Sequence, residues 1–167
     1  MLFGGFASPE QAVRIEDAEP KALITASCGI EINRVIEYKP LVDRAIEQSS
    51  HKPDTCIVFQ REQAKAAMQE GRDKDWNELA SNASAVDPVP VKATDPLYIL
   101  YTSGTTGKPK GVVRDNGGHA GALRYSMKLV YDAEPGDVFW AASDEGWGGG
   151  HSCGVDTPAI TSGTTTP

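Results

Sequence analysis

From Thr102 to Lys110 the chain reads Thr-Ser-Gly-Thr-Thr-Gly-Lys-Pro-Lys: four hydroxyls, two glycines and two lysines in nine residues. Gly104 and Gly107 carry no side chain to hold a ligand off, so backbone N–H groups can come close to an anion. Thr102, Ser103, Thr105 and Thr106 add hydroxyl donors, and Lys108 and Lys110 add positive charge, so donors and charge can converge on phosphate oxygens. A Walker A loop would continue from its lysine to Ser or Thr and into a helix, whereas Lys108 is followed by Pro109. The alternative is a polar hairpin turn between two strands, in which Gly and Pro are ordinary turn residues. That role leaves the hydroxyls and lysines without a task.

The elements that must position this loop follow from hydrophobic patterning. Leu97 to Tyr101 is an apolar run rich in β-formers, read as a buried strand that delivers the chain to the loop, and Val112-Val113-Arg114 is a short strand beyond it. Upstream, Ser8-Pro9-Glu10-Gln11 reads as a helix start with Ser8 as N-cap and Gln11 completing a capping box, in a helix running to about Asp17. Lys21–Ala26 and Thr55–Phe59 read as short buried strands. Because Thr55–Phe59 is continuous rather than alternating, it predicts a sheet covered on both faces. Between them, Tyr38 to about Ser49 is a helix with Leu41, Val42, Ala45 and Ile46 on its apolar face. Residues 60–90 form a polar excursion in which only Trp76 and Leu79 give a short helix anything to bury. The prolines of Val86–Val91 keep that linker extended. After Gly117-Gly118 a helix is expected from about His119 to Tyr131, with Leu123, Met127 and Val130 on one face. Val138–Ala142 then forms a strand that ends in a second glycine-rich loop, Ser143–Ser152.

Alternating strands and helices predict an α/β fold, a partial doubly wound and mostly parallel sheet, with ligands at the carboxyl ends of strands, where both loops lie. Of the lone side chains, His51 and His119 read as surface or packing residues and His151 as one that lines the second loop's site. Trp140 reads as core, Trp147 as a pocket wall, Asp144 as structural and Glu145 as exposed.

With 167 residues, the chain can build one domain with a real core, and its 40% hydrophobic and 23% charged content is ordinary for a globular protein. A net charge of -7 with scattered lysines and arginines argues against nucleic acid as a partner. Cys28, Cys56 and Cys153 are odd in number and form no C-x-x-C pair, so they read as free thiols of a reducing compartment. No apolar run approaches membrane-spanning length, and the N-terminus lacks a basic leader, so a cytoplasmic chain without a membrane partner is expected.

Tyr101–Gly111 resembles the signature of the adenylate-forming, or AMP-binding, superfamily of acyl-CoA synthetases, peptide-synthetase adenylation domains and luciferases. Phe3–Ala7, Thr25–Glu31, Tyr38–Val42, His51–Asp54, Ala141–Asp144, Gly146-Trp147 and Gly150–Ser152 resemble the propionyl-CoA synthetase branch, close to acetyl-CoA synthetase. The resemblance implies an acid–thiol ligase that joins propionate or acetate to CoA at the expense of ATP. Residues 1–167 would be an incomplete segment of the AMP-binding N-terminal domain. The C-terminal domain, with the lysine needed for adenylation, would be absent, so no residue of this chain is expected to be catalytic. Thr102, Ser103, Gly104, Thr105, Thr106, Gly107, Lys108 and Lys110 would hold the ATP phosphates, with Thr105 nearest the Mg²⁺. Gly4 and Gly5 would lie against the CoA nucleotide, with Arg34 as the nearest cation because Glu31 stands about where relatives carry an arginine. Trp147, Gly148 and Gly149 would line the acyl pocket, the two glycines replacing the Val-Val or Val-Thr of relatives. ATP, Mg²⁺ and CoA are thus the implied small-molecule partners of the full enzyme. The alternatives are a non-catalytic phosphate-binding fragment and an unstable truncated product.

Overall fold

The computed structural model describes residues 2, 5–102, 109–143 and 150–165. They fall into two compact units, one over Gly4–Asp87 and one made mainly of Pro88–Pro167. The proline-bearing stretch between Val86 and Val91 is exposed and carries no helix or strand.

In the first unit the order is α1 (Ser8–Ala18), β1 (Ala22–Ala26), β2 (Cys28–Glu31), β3 (Arg34–Glu37), α2 (Tyr38–Gln48), β4 (Thr55–Phe59), β5 (Asp73–Asp75) and α3 (Trp76–Ser81). Strands β1, β4 and β5 form a parallel sheet in that order, giving the mixed α/β class with a parallel sheet that the alternation predicts. Helix α1 begins one residue earlier than expected: Ala7 is the N-cap and no side chain caps it. Ser8 is already helical and buried, and the Gln11 side chain instead donates to the Phe6 carbonyl at 2.7 Å. The helix stops at Glu19, which adopts a left-handed conformation (φ 43°) ahead of Pro20.

Ala12 and Ile15 of α1, Val42, Ala45 and Ile46 of α2, and Cys56 and Val58 of β4 make one core cluster. Each large apolar side chain buried there contributes about 1.5–3 kcal/mol. The cluster lies on one face of the sheet only. On the other face Ile24 is 67% exposed, so the described helices do not provide the two-sided cover that the continuous apolar run of β4 predicts. Beyond β1, the chain makes an antiparallel β2–β3 hairpin where the sequence suggested a simple turn at Cys28-Gly29. Gly29 is required there, because a Cβ would come within 1.9 Å of the Tyr38 hydroxyl oxygen.

The hydrophilic stretch after β4 is not entirely an excursion. Trp76 and Leu79 of α3 are exposed, but Asp73 lies on β5 with its side chain fully buried. Its partner is Lys39, only 1% exposed at the start of α2. The Lys39 Nζ lies 2.7 Å from Asp73 Oδ2 and 2.7 Å from Asp43 Oδ1. Arg72 closes the ring, its Nε 2.7 Å from Asp73 Oδ1 and its Nη2 paired with Asp43. Burial alone would push the Lys39 ammonium toward neutrality, but hydrogen bonds to Asp43 and Asp73 outweigh it and hold its pKa above the ordinary value. Burial likewise opposes the charge on Asp73, and the bonds from Arg72, the Gln69 N–H and Lys39 keep it below the usual carboxylate range. Burial, and next the neighbouring Asp73 charge, push the Cys56 thiol up to about 11.

The second unit runs β6 (Pro96–Thr102), β7 (Lys110–Asp115), α4 (Asn116–Leu129), β8 (Val138–Phe139), a π-helical turn (Gly150–Asp156), α5 (Thr157–Thr161) and β9 (Thr164–Thr165). Strands β6 and β7 are antiparallel, and β8 pairs with β9 in parallel. Only Leu100 of β6 is buried, because β7 is its sole strand neighbour among the described residues. Helix α4 starts at Asn116, not after the glycines. The Asp115 carboxylate accepts from the His119 N–H at 3.3 Å, and Gly118 leaves it room, since a Cβ there would lie 2.5 Å from Asp115 Oδ1. Leu123 and Met127 are buried as expected, whereas Val130 is the exposed C-cap. Trp140 is not core: β8 ends at Phe139 and the indole beyond it is 65% exposed.

Removing one partner of a buried ion pair leaves the other charge without compensation, at a cost of about 3–5 kcal/mol. Lys39→Ala should therefore nearly unfold the Gly4–Asp87 unit, seen as loss of most amide-exchange protection in β1, β4 and β5. The pH dependence has two edges. Asp73, with its pKa lowered by folding, contributes stability above the unfolded value of about 3.9 and loses it as pH falls through the lower folded value. Lys39, with its pKa raised, contributes fully below about 10.4 and loses it as pH rises through the higher folded value. Chemical denaturation across pH should show a plateau between these edges that Lys39→Met abolishes.

Candidate functional site

The phosphate-type loop hangs from a hairpin. Strand β6 ends at Thr102 and β7 begins at Lys110, and these two residues are register partners, followed inward by Tyr101 with Gly111 and Leu100 with Val112. An antiparallel pair puts its directly opposed residues about 4.5–5.5 Å apart, so a hydroxyl and an ammonium flank the mouth of the loop on facing strands. Thr102 and Lys110 are both exposed. Ser103, Gly104, Thr105, Thr106, Gly107 and Lys108 lie outside the described residues. The hairpin form is common to the phosphate-cradle and plain-turn readings; the composition of the loop is what separates them.

Of the remaining expected site residues, Gly5 and Arg34 belong to the first unit. Gly5 is half-buried in the turn before α1, and Arg34 is exposed at the start of β3 opposite Glu31. Gly4, Trp147, Gly148 and Gly149 lie outside the described residues, as do Asp144 and Glu145.

Sequence reading misses a polar cluster at the base of the two loops. Tyr98 on β6 places its hydroxyl oxygen 3.1 Å from His119 Nε2 on α4 and 3.1 Å from Ser152 Oγ in the π-helical turn. Its ring meets His119 and His151 edge to face, with centroids 5.2 and 4.6 Å apart. Asp156 Oδ2 lies 3.4 Å from His119 Nε2 and 3.7 Å from His151 Nδ1. Asp156 Oδ2 and His151 Nδ1 are both buried and have no hydrogen-bond partner among the described residues. The Thr157 hydroxyl ties the turn to itself by donating to the Ser152 carbonyl. His119 is a packing residue, as expected, but one that carries hydrogen bonds. His51 is anchored as well, its Nε2 2.8 Å from the Pro20 carbonyl oxygen. No pattern of spacing connects positions 98, 119, 152 and 156, so only the fold reveals the cluster.

Among the described residues no group of three His, Cys, Asp or Glu side chains is placed to hold a metal ion, and no helix is long and apolar enough to cross a membrane. The described cysteines are free, Cys28 and Cys56 buried and Cys153 partly accessible.

The whole of residues 1–166 matches the family of the AMP-binding enzyme. The chain belongs to that family. Its similar proteins include an uncharacterized protein of Pseudomonas aeruginosa, 56% identical over 99% of this chain and 26% of that protein. The human mitochondrial acyl-CoA synthetase short-chain family member 3 is 51% identical over 91% of this chain and 22% of its own length. The acetyl-coenzyme A synthetase of Pasteurella multocida is 44% identical over 91% of this chain and 23% of its own. The chain thus spans about a quarter of the curated relatives it matches, two of which are named as a short-chain acyl-CoA synthetase and an acetyl-coenzyme A synthetase.

One residue near the expected CoA contact is conformationally costly. Ile32, in the two-residue turn between β2 and β3, has φ 53° and is 94% exposed. A β-branched residue in the left-handed region costs about 1–2 kcal/mol, and Asn or Gly is far more tolerant. Ile32→Asn should therefore raise the unfolding free energy of the Gly4–Asp87 unit by about 1 kcal/mol, seen as a higher midpoint in urea titration.

Proposed function

We propose that this chain is the phosphate-holding segment of an AMP-forming ligase that activates a short carboxylate, propionate or acetate, and passes it to CoA. The observation that carries this is the composition of the loop between the register partners Thr102 and Lys110, which holds two glycines, three further hydroxyls and Lys108. The family match supports the reaction class, and the names of the relatives support a short acyl group and a CoA acceptor. The choice of propionate rests on the sequence resemblance.

In this reading a carboxylate oxygen attacks the α-phosphorus of ATP, the bond to pyrophosphate breaks, and the CoA thiol then displaces AMP from the acyl carbon. The contribution of this chain is to the leaving group. Positioned N–H and hydroxyl donors from Thr102 to Gly107, with Lys108 and Lys110, stabilise the charge that develops on pyrophosphate. The lysines act as electrostatic partners, not bases. Mg²⁺ would arrive with the nucleotide as part of the substrate, with Thr105 the residue that would hold it through the phosphates. By the same resemblance Gly4, Gly5 and Arg34 are the proposed contacts of the CoA nucleotide, and Trp147, Gly148 and Gly149 those of the acyl chain. We further propose that residues 1–167 taken alone bind nucleotide without turning it over.

Isothermal titration with MgATP tests the phosphate reading. A charge-assisted contact is worth about 1.5–3 kcal/mol, so Lys108→Ala should bind roughly tenfold or more weakly than the unaltered chain. Equal affinity of the two, or no binding by either, sinks the reading. Separately, a pyrophosphate-exchange assay with propionate and acetate should show no substrate-dependent turnover, and turnover would overturn the claim that the segment is inactive alone.

A further inference from the structure

The cluster around Tyr98 joins elements that the two glycine-rich loops share. Tyr98 stands on β6 four residues before Thr102, and because side chains alternate along a strand, Tyr98, Leu100 and Thr102 share one face. Ser152 stands three residues beyond Gly149, inside the π-helical turn. A seven-residue π-helix is rare, since its backbone hydrogen bonds and packing are poorer than those of an α-helix, and such turns persist where other contacts hold them. Here those contacts are the Tyr98 hydroxyl on Ser152 Oγ, the Thr157 hydroxyl on the Ser152 carbonyl, and the edge-to-face contact of Tyr98 with His151.

We propose that the Tyr98 hydroxyl is a latch, a positioning residue that fixes the turn after the second loop to the strand that leads into the first. The hydroxyl has one proton and two lone pairs, and it has two partners at 3.1 Å, His119 Nε2 and Ser152 Oγ. With one proton it donates to at most one of them and accepts from the other or from both, and in either case β6, α4 and the π-helical turn are joined through a single oxygen. With the latch closed, the residues entering the phosphate loop and those leaving the second loop keep one arrangement before any ligand is present. A preorganised loop spares the ordering cost of binding.

The inference rests on the phosphate-binding reading for its ligand, so the experiment has two readouts. Tyr98→Phe keeps the ring and its edge contacts and deletes only the hydroxyl; Ser152→Ala deletes the partner, and Ser152→Thr keeps a hydroxyl there. By hydrogen exchange, Tyr98→Phe and Ser152→Ala should each lower protection of the amides in 150–157 at least fivefold, with β1 and β4 unchanged and Ser152→Thr close to the unaltered chain. By MgATP titration, the first two variants should bind severalfold more weakly, the double variant no more weakly than the weaker single one, and Ser152→Thr should restore affinity. Unchanged protection in Tyr98→Phe, or MgATP affinity equal in all the variants and the unaltered chain, overturns the latch and leaves the phosphate reading standing. If the unaltered chain binds no MgATP, the phosphate reading falls, and the exchange data alone then decide for or against the latch.

Discussion

The Lys39 ammonium is cut off from water, and the sheet of the first unit depends on how its charge is met. Moving such an ion out of water costs several kcal/mol even after relaxation. The cost is offset because carboxylates arrive from two directions, Asp43 one helical turn along α2 and Asp73 from β5. The short β5, whose side chains include two aspartates and a lysine, has no apolar reason to join a sheet. It is held beside β4 by this network and by its ladder bonds, with Arg72 satisfying the carboxylate oxygens that Lys39 leaves. The ring also sets the environment of Cys56, whose thiol lies against both the apolar core and the Asp73 charge.

This network shows why part of the fold escaped a reading of sequence. Helices α1 and α2 and strands β1, β4 and β6 were legible because their apolar residues recur at the period of the element that buries them. Strand β5 was not: hydropathy averages over Glu70–Asp75 and sees five charged residues and a glycine, while the structure pairs two of them with charges 29 and 34 positions away. Small errors at helix starts have a similar origin. At α1 the sequence offered Ser8 as a cap, and the Gln11 amide found the Phe6 carbonyl instead. At α4 the glycines read as a break, whereas Gly118 is the space into which the Asp115 cap folds.

For the candidate site the balance is different. The loop and its lysines could be read from residue types alone, because hydroxyls, glycines and cations in one short stretch have few uses. What spacing could not supply was the hairpin register that sets Thr102 across from Lys110, or the meeting of Tyr98, His119 and Ser152 at one oxygen. Those are long-range pairings, fixed by strand register and helix packing. The strand that carries the loop is also less buried than its composition suggests, since a two-stranded ribbon covers little of its own apolar surface.

Strand β1 has one strand neighbour among the described residues, and Ile24 beside that open edge is turned mostly to solvent. An edge that no strand covers among the described residues, next to an exposed apolar side chain, is a template for another strand. Neither proline nor a bulge interrupts Ala22–Ala26 to discourage pairing. A further strand pairing there would extend the same sheet that organises the first unit.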